Sequence, residues 1–191
     1  MTVGELLKSD AVEAAPALLG WTLLSNVGST PTAGLIVETE AYLGSQDPAS
    51  HAYRGPTPRT QPMFGPAGTV YVYLSYGLHY CLNLVTGPMG EAQAVLIRAL
   101  QPVAGVKIMQ QRRGSVPARQ LCQGPANLTK ALGIDKTLSG SLIGRELQLE
   151  PPAVIVNRRL IKQGPRVGIS AGKDLPWRFW LEPDKINGSL V

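Results

Sequence analysis

Glycine and proline are spread along the entire chain and divide it into short segments. The 191 residues include 21 Gly and 16 Pro, two residue types that end helices and mark turns. Long uninterrupted helices do not fit between breaks so close together, which argues against a helical bundle. We therefore predict an α+β fold: a single β-rich domain with a curved, largely antiparallel sheet and a few short helices.

The length and composition are those of an ordinary globular protein. Hydrophobic residues make up 44% and charged residues 16% of the chain, and 191 residues suit one domain, which we expect to cover residues 1–191. Arg98 interrupts the most apolar run, residues 94–100, so no run is as long as a membrane span. Glu5, Lys8 and Asp10 do not suit a secretory signal, and we expect a cytoplasmic protein without membrane contact.

Hydrophobic periodicity and turn residues predict where the elements lie. A loop rich in Pro and Gly is expected at residues 44–68, long enough to carry function. The predicted helices cover residues 11–19, 106–112 and 126–132, and the predicted strands cover residues 21–25, 34–42, 69–74, 80–85, 94–100, 154–157, 166–170 and 178–181.

Several common catalytic motifs do not occur in the sequence. Residues 168–173 resemble a phosphate loop, but the glycine spacing is one residue short. Ser75 lacks the first glycine of a nucleophile elbow. The two histidines, His51 and His79, are not paired with carboxylates in a metal-binding spacing, and the two cysteines, Cys81 and Cys122, read as buried, reduced thiols. We therefore expect no metal and no cofactor.

Residues 35–42 place acidic groups at the end of a hydrophobic strand. Side chains alternate along a strand, so Glu38, Glu40 and Tyr42 share one face. Acids in this position suit a cleft, and two nearby carboxylates disfavour each other's ionisation. An exposed strand end whose acids meet solvent or arginines explains the same eight residues, and this alternative stays open.

A second strand carries tyrosines opposite an aliphatic face. Tyr71 and Tyr73 alternate with valines, and Tyr76 follows at a turn beside Gly77, where an aromatic ring is hard to bury and could enter a base stack. Arg98 lies within an apolar strand and needs a partner if it is buried. Glu40 or Glu38 is the natural partner, although a purely structural ion pair would meet the same need.

The charge balance favours a polyanionic partner. The net charge is +5 and the pI is near 9.4. Arginine and lysine form separate clusters, which suit either a phosphate backbone or a solvated face. The clusters are Arg54 and Arg59; Arg112, Arg113 and Arg119; and Arg158, Arg159, Lys162 and Arg166.

These residues together closely resemble the alkyladenine (3-methyladenine) DNA glycosylase family. The matching segments follow one another in order over nearly the whole chain, with compatible spacing. They are residues 36–44, Asp47, His51, residues 57–59, 63–64, 68–73, 76–77, 81–83, 96–100 and 124–125, Leu128, residues 131–132 and residues 165–169.

The resemblance implies a role for each site residue. It implies that Glu40 activates the attacking water, which Arg98 and the main-chain carbonyl of Val167 also hold. The implied binding residues fall into two groups: Tyr42, His51, Tyr73 and Asn83 receive the flipped base, and Thr57, Arg59, Met63 and Tyr76 contact the DNA. Pro56, Thr60 and His79 differ from the residues that are common in relatives, and these differences affect the strength of the expected contacts with the DNA backbone.

The resemblance implies a monofunctional enzyme of base excision repair, acting as a monomer on double-stranded DNA that contains a damaged purine. It would flip alkylated or deaminated purines (3-methyladenine, 7-methylguanine, hypoxanthine, ethenoadenine) out of the duplex and hydrolyse the N-glycosidic bond. Two alternatives explain part of the pattern. One is a glycosidase of free nucleosides that uses Glu38 and Glu40, and the other is a non-catalytic binder that stacks bases on Tyr73 and Tyr76.

Overall fold

The computed structural model describes residues 2–152 and 156–182. Four α-helices and eight strands lie in these ranges, joined by turns and short 3-10 helices. In chain order the elements are α1 (Val3–Lys8), α2 (Ala11–Ala17), β1 (Thr22–Ser25), β2 (Thr32–Leu43), β3 (Val70–Ser75), β4 (His79–Thr86), β5 (Gln93–Ala104), α3 (Val106–Arg113), α4 (Pro125–Leu132), β6 (Leu147–Glu150), β7 (Ile161–Gly164) and β8 (Arg178–Leu181).

All strand pairs are antiparallel, which confirms the predicted α+β class. The main order across the sheet is β3-β4-β5-β2-β1-β6. Strand β2 is central in this sheet, because β5 pairs with one of its edges while β1 and β8 pair with different parts of the other edge. The β2–β5 pairing shifts register on both sides of Glu38, and such bulges bend a strand and re-aim its side chains.

Both faces of the sheet are packed, and alternate residues of the same strands serve the two sides. Val70, Leu84 and Val95 belong to the main core beneath the helices. Tyr71, Val85 and Ala94 belong to a second, smaller cluster with Met63 and Ala52 from the 44–68 loop. The loop is therefore held against the sheet by its own apolar residues, which makes the space between loop and sheet a defined cavity.

Most predicted elements are present, with ends shifted by a few residues. Helix α2 ends at Ala17, one residue after Pro16, rather than at residue 19. The strand predicted at residues 166–170 is wrong: this segment is irregular, with Gly168 at a φ of 76°. The strand predicted at residues 154–157 falls partly outside the described residues, and residues 156–157 are irregular.

The short elements α1, β6 and β7 were not predicted. None of the described helices is long and apolar enough to cross a membrane.

Candidate functional site

A cleft of about 680 Å³ opens between the 44–68 loop, strands β3 to β5 and residues 167–170. Nine of the eleven predicted site residues line it, although they come from four strands, the turn between β3 and β4, the 44–68 loop and the segment at residue 167. They are Tyr42, His51, Arg59, Met63, Tyr73, Tyr76, Asn83, Arg98 and Val167. Strand order and the loop's packing on the second cluster bring them together.

Glu40 lies directly behind the wall of this cleft, with a side chain that is 0% exposed. Its Oε1 accepts a hydrogen bond from the backbone N–H of Val167 at 2.8 Å. Its Oε2 accepts one from the Tyr42 hydroxyl at 2.8 Å and lies 3.3 Å from Nη1 of Arg98. All three neighbours are donors, so they suit a deprotonated carboxylate and fix its orientation.

Tyr42 remains a hydrogen-bond donor under ordinary conditions. Burial raises the pKa of its phenol, and the adjacent Glu40 carboxylate raises that pKa further. The hydroxyl therefore keeps its proton and directs it at Glu40.

Arg98 connects Glu40 to the second acid of the strand. Its Nε donates to Oε1 of Glu38 at 3.1 Å while Nη1 faces Glu40. The predicted partner of the arginine is thus confirmed for both carboxylates. Glu38 also accepts from Nε of Arg178 at 2.6 Å, so two arginines contact Glu38, and one of them also contacts Glu40.

Aromatic rings form one wall of the cleft. The rings of His51 and Tyr73 lie 4.4 Å apart in an edge-on arrangement, and Tyr71 lies 5.5 Å from Tyr73. Burial lowers the pKa of His51 and the Arg59 charge lowers it further, so its imidazole is neutral near pH 7. All three rings line the cleft, and an aromatic face on such a wall can stack a planar group.

The phenol of Tyr71 contacts the imidazole of His51. Its oxygen lies 3.1 Å from Nδ1, and the tautomer of the ring decides which of the two atoms donates. Burial raises the pKa of the Tyr71 phenol, so its hydroxyl keeps a proton that it can donate to Nδ1.

The loop between β3 and β4 carries the most exposed tyrosine. Tyr76 is 89% exposed and has a φ of 51°, and Gly77 has a φ of 72°. The backbone N–H of Leu78 donates to the Ser75 carbonyl at 3.0 Å and closes the turn. A non-glycine residue with positive φ costs free energy, and the turn nevertheless holds Tyr76 in this conformation with its aromatic ring exposed to solvent.

Three other predicted site residues pack against the protein or form hydrogen bonds within it. Met63 lines the cleft but is only 3% exposed, packed in the second cluster. Thr57 does not line the cleft; its hydroxyl lies 3.0 Å from that of Thr60 and stabilises the loop. Asn83 is buried, and its amide donates to the Tyr71 carbonyl at 3.1 Å.

Sequence reasoning missed the ion pair of Asp47 and Arg166, whose side chains are both 0% exposed. The Arg166 guanidinium also donates to the Ala41 carbonyl at 2.9 Å and lies 4.6 Å from the centre of the Tyr42 ring. It thereby supports Tyr42 from behind the cleft wall. Asp47 and Arg166 both lie in segments that carried the family resemblance, which was the available signal.

Three arginines from the predicted clusters are therefore unsuited to a phosphate backbone. Arg166 is buried with Asp47. Arg112 donates to the carbonyls of Ala131 and Val27, and Arg113 donates to that of Leu121. Arg112 and Arg113 instead stabilise loops and a helix end by donating to main-chain carbonyls.

The remaining predictions about reactive side chains concern the cysteines and a metal site. Cys81 and Cys122 are buried and free, as predicted. No group of three His, Cys, Asp or Glu side chains within residues 2–152 and 156–182 could hold a metal ion.

Comparison with known proteins points to one enzyme class. The family model described as methylpurine-DNA glycosylase matches residues 5–185. A protein of Cutibacterium acnes is 48% identical over 93% of this chain and 94% of its own length. One of Carboxydothermus hydrogenoformans is 48% identical over 92% of both chains, and one of Methanoculleus marisnigri is 51% identical over 91% of both. All three are named "Putative 3-methyladenine DNA glycosylase".

Proposed function

The chain belongs to the methylpurine-DNA glycosylase family and is a DNA glycosylase, a hydrolase of N-glycosyl bonds in DNA repair; on this premise we propose that it flips alkylated or deaminated purines into the cleft and hydrolyses their N-glycosidic bonds with a water activated by Glu40. The observation that carries the proposal is the buried Glu40, held by three donors behind a cleft wall of aromatic rings.

Each step follows from the chemistry of these groups. A base in a duplex is out of reach of side chains, so the nucleotide must rotate out, at a cost of a few kcal/mol that is smallest for damaged or mispaired bases. Tyr42, Tyr73 and His51 line the space that would receive it. With the Tyr71 phenol donating to Nδ1 of His51, the ring proton lies on Nε2 and suits an acceptor on the base edge, such as the exocyclic oxygen of hypoxanthine.

Cleavage of the glycosidic bond gives the sugar positive charge in the transition state. A carboxylate beneath the sugar stabilises that charge and takes the proton of the attacking water. Arg98 and Val167 contact Glu40 and also line the cleft, which supports a role for both in holding this water, with the Val167 carbonyl as acceptor. No lysine lines the cleft among the described residues, which suits hydrolysis without a Schiff base and an abasic product in an intact strand.

The site disfavours the nucleosidase alternative. Its carboxylate pair would require Glu38 to face the substrate beside Glu40, but Glu38 accepts from both Arg98 and Arg178 and lines a different cavity. We further propose that the protein acts as a monomer on double-stranded DNA, with one catalytic domain over residues 1–191 and without metal or cofactor, in the cytoplasm.

Single-turnover excision tests this function directly. Duplexes that each hold one hypoxanthine, ethenoadenine, 7-methylguanine or 3-methyladenine are mixed with excess enzyme, and the free base and the strand are analysed separately. We expect release of one or more of these bases and a strand that breaks only after alkali treatment. Binding without release of any base, or an adduct trapped by borohydride, would contradict the proposal.

Tyr76→Ala is expected to weaken the flipped complex without affecting the fold. One base–aromatic stack is worth about 1–3 kcal/mol, so affinity for lesion-containing duplex should fall by about 5- to 150-fold. The free energy of unfolding should not decrease, because the ring is 89% exposed and its loss is accompanied by no cavity. Fluorescence anisotropy and urea denaturation measure the two quantities.

Met89→Ala is the matched control, since Met89 is 74% exposed on a different turn. If both variants bind lesion DNA as tightly as the wild type, Tyr76 has no stacking role.

A further inference from the structure

A second cavity of about 700 Å³ adjoins the cleft; we call it the side cavity. Its lining includes Glu38, Arg119, Gly124, Arg178 and Trp180. The two spaces are neighbours along the chain as well as in space: Arg98 lines the cleft where Ala99 lines the side cavity, and Pro125 and Gly124 are divided in the same way. The ion-pair chain Arg98–Glu38–Arg178 forms the partition between them.

The side cavity carries excess positive charge. Two guanidinium groups, those of Arg119 and Arg178, face one carboxylate, that of Glu38. Glu38 is shared with Arg98 through the same oxygen, so it neutralises less than one charge of Arg178. Arg119 is exposed and makes no ion pair or hydrogen bond through its side chain within the described part of the chain.

Arg178 is held in place but keeps free donors. Its Nε donates to Glu38 at 2.6 Å, and its guanidinium lies 4.6 Å from the centre of the Trp180 ring. These two contacts fix the plane of the group, while its Nη donors have no partner among the described residues. A pre-organised guanidinium of this kind binds a phosphate at little entropic cost.

The N-terminus of α4 adds to the same field. Gly124 is its N-cap residue and has no side chain, Pro125 has no N–H, and the Asn127 N–H already donates to the Gly124 carbonyl. The Ala126 N–H is therefore the free donor of this first turn among the described residues. Helix N-termini carry partial positive charge and suit anions. This terminus lies between the side cavity and the cleft, because Gly124 lines one and Pro125 lines the other.

We propose that the side cavity binds a phosphodiester of the damaged strand, next to the flipped nucleotide, through Arg119 and Arg178. The inference deepens the proposed function and depends on it for the identity of the strand. A phosphodiester carries one negative charge and acceptor oxygens only, which matches a site of donors with net positive charge. Because Arg178 shares Glu38 with Arg98, this contact also joins strand binding to the group that faces Glu40.

The salt dependence of binding tests the charge contact. Loss of one phosphate contact reduces the slope of log K against log salt concentration by about 1. We expect this reduction for Arg119→Gln on undamaged and damaged duplexes alike. Arg145→Gln is the control, an exposed arginine just before β6, at the opposite end of the sheet from β3; its slope should equal that of the wild type. Equal slopes for all three proteins would overturn the proposal.

A methylphosphonate scan identifies the phosphate. Each linkage of the lesion strand is made neutral in turn, and binding of wild type and Arg119→Gln is compared. We expect one position near the lesion where the neutral linkage weakens the wild type but not the variant. Additive effects at every position would mean that the cavity takes no strand phosphate, only free anions, and would overturn the proposal.

The two proposals fail separately. If the wild type releases no base while the slope and the scan behave as expected, the side cavity stands as a strand contact and the proposed reaction is wrong. If base release occurs and the scan is additive throughout, the reaction stands and the side cavity has no part in DNA binding.

Discussion

Replacing Glu40 with Gln is expected to remove base release while leaving DNA binding intact. General base catalysis contributes about 10²- to 10⁴-fold to a rate, so the single-turnover rate constant should fall by at least that range. The amide is nearly isosteric, and its oxygen still accepts from the Val167 N–H, which is 2.8 Å from the carboxylate in the wild type. It has no basicity, however, and provides no charge opposite the developing cation of the sugar.

The measurement is the rate of excision from the best substrate, with affinity for the same duplex measured in parallel. Glu38→Gln is the matched control, because it changes a carboxylate one strand alternation away and keeps an acceptor for Arg98 and Arg178. We expect a smaller loss for it, since it acts on the reaction only through the position of Arg98. Equal losses for the two variants would favour a reaction that uses both carboxylates, and full activity of Glu40→Gln would remove Glu40 from the mechanism.

Asp47→Ala is expected to cost about 3–5 kcal/mol of the free energy of unfolding, because removal of one partner leaves the other charge buried and uncompensated. The Arg166 side chain is 0% exposed, and its Nε has no hydrogen-bond partner even in the wild type. Its remaining bond to the Ala41 carbonyl does not neutralise the charge. Urea denaturation measures the loss, and for a variant that stays folded we also expect slower excision because Arg166 supports Tyr42.

The double variant Asp47→Leu/Arg166→Met separates charge from packing. Replacing both members of a buried pair by apolar side chains of similar size is often neutral for stability, so the double variant should regain most of the loss. It also decides the matter if Asp47→Ala does not fold. A single variant as stable as the wild type, or a double variant less stable than the single one, would show that the pair is not held by its charges.

Strand alternation accounts for much of the site that could be predicted. Glu38, Glu40 and Tyr42 follow one another at every second position, and β2 does place the Tyr42 hydroxyl on Glu40. A charge in an apolar strand needs a partner, and Arg98 has two. These predictions are correct because they depend on the period of the strand and on the cost of burying a charge. Both can be judged from a few neighbouring residues.

The segment around residue 166 shows where such reasoning stops. Residues 166–170 have a hydrophobic alternation typical of a strand, yet they form an irregular connection whose first residue turns inward to Asp47 and whose second donates to Glu40. These partners are 119 and 127 residues away. A local window records the alternation and contains no trace of either partner.

The sequence by itself therefore determined the α+β class, most of the strands and helices, the acidic strand end, the exposed tyrosine at a turn and the family. Tertiary structure alone decided that Glu40 is fully buried behind the cleft, that Arg166 supports Tyr42 instead of meeting phosphate, and that a side cavity with free guanidinium donors adjoins the cleft. The physical reason is the distance along the chain between the residues that interact. Periodicity, turns and caps are set by neighbours along the chain, whereas burial and ion pairing depend on strand order, register and loop packing between residues far apart in sequence.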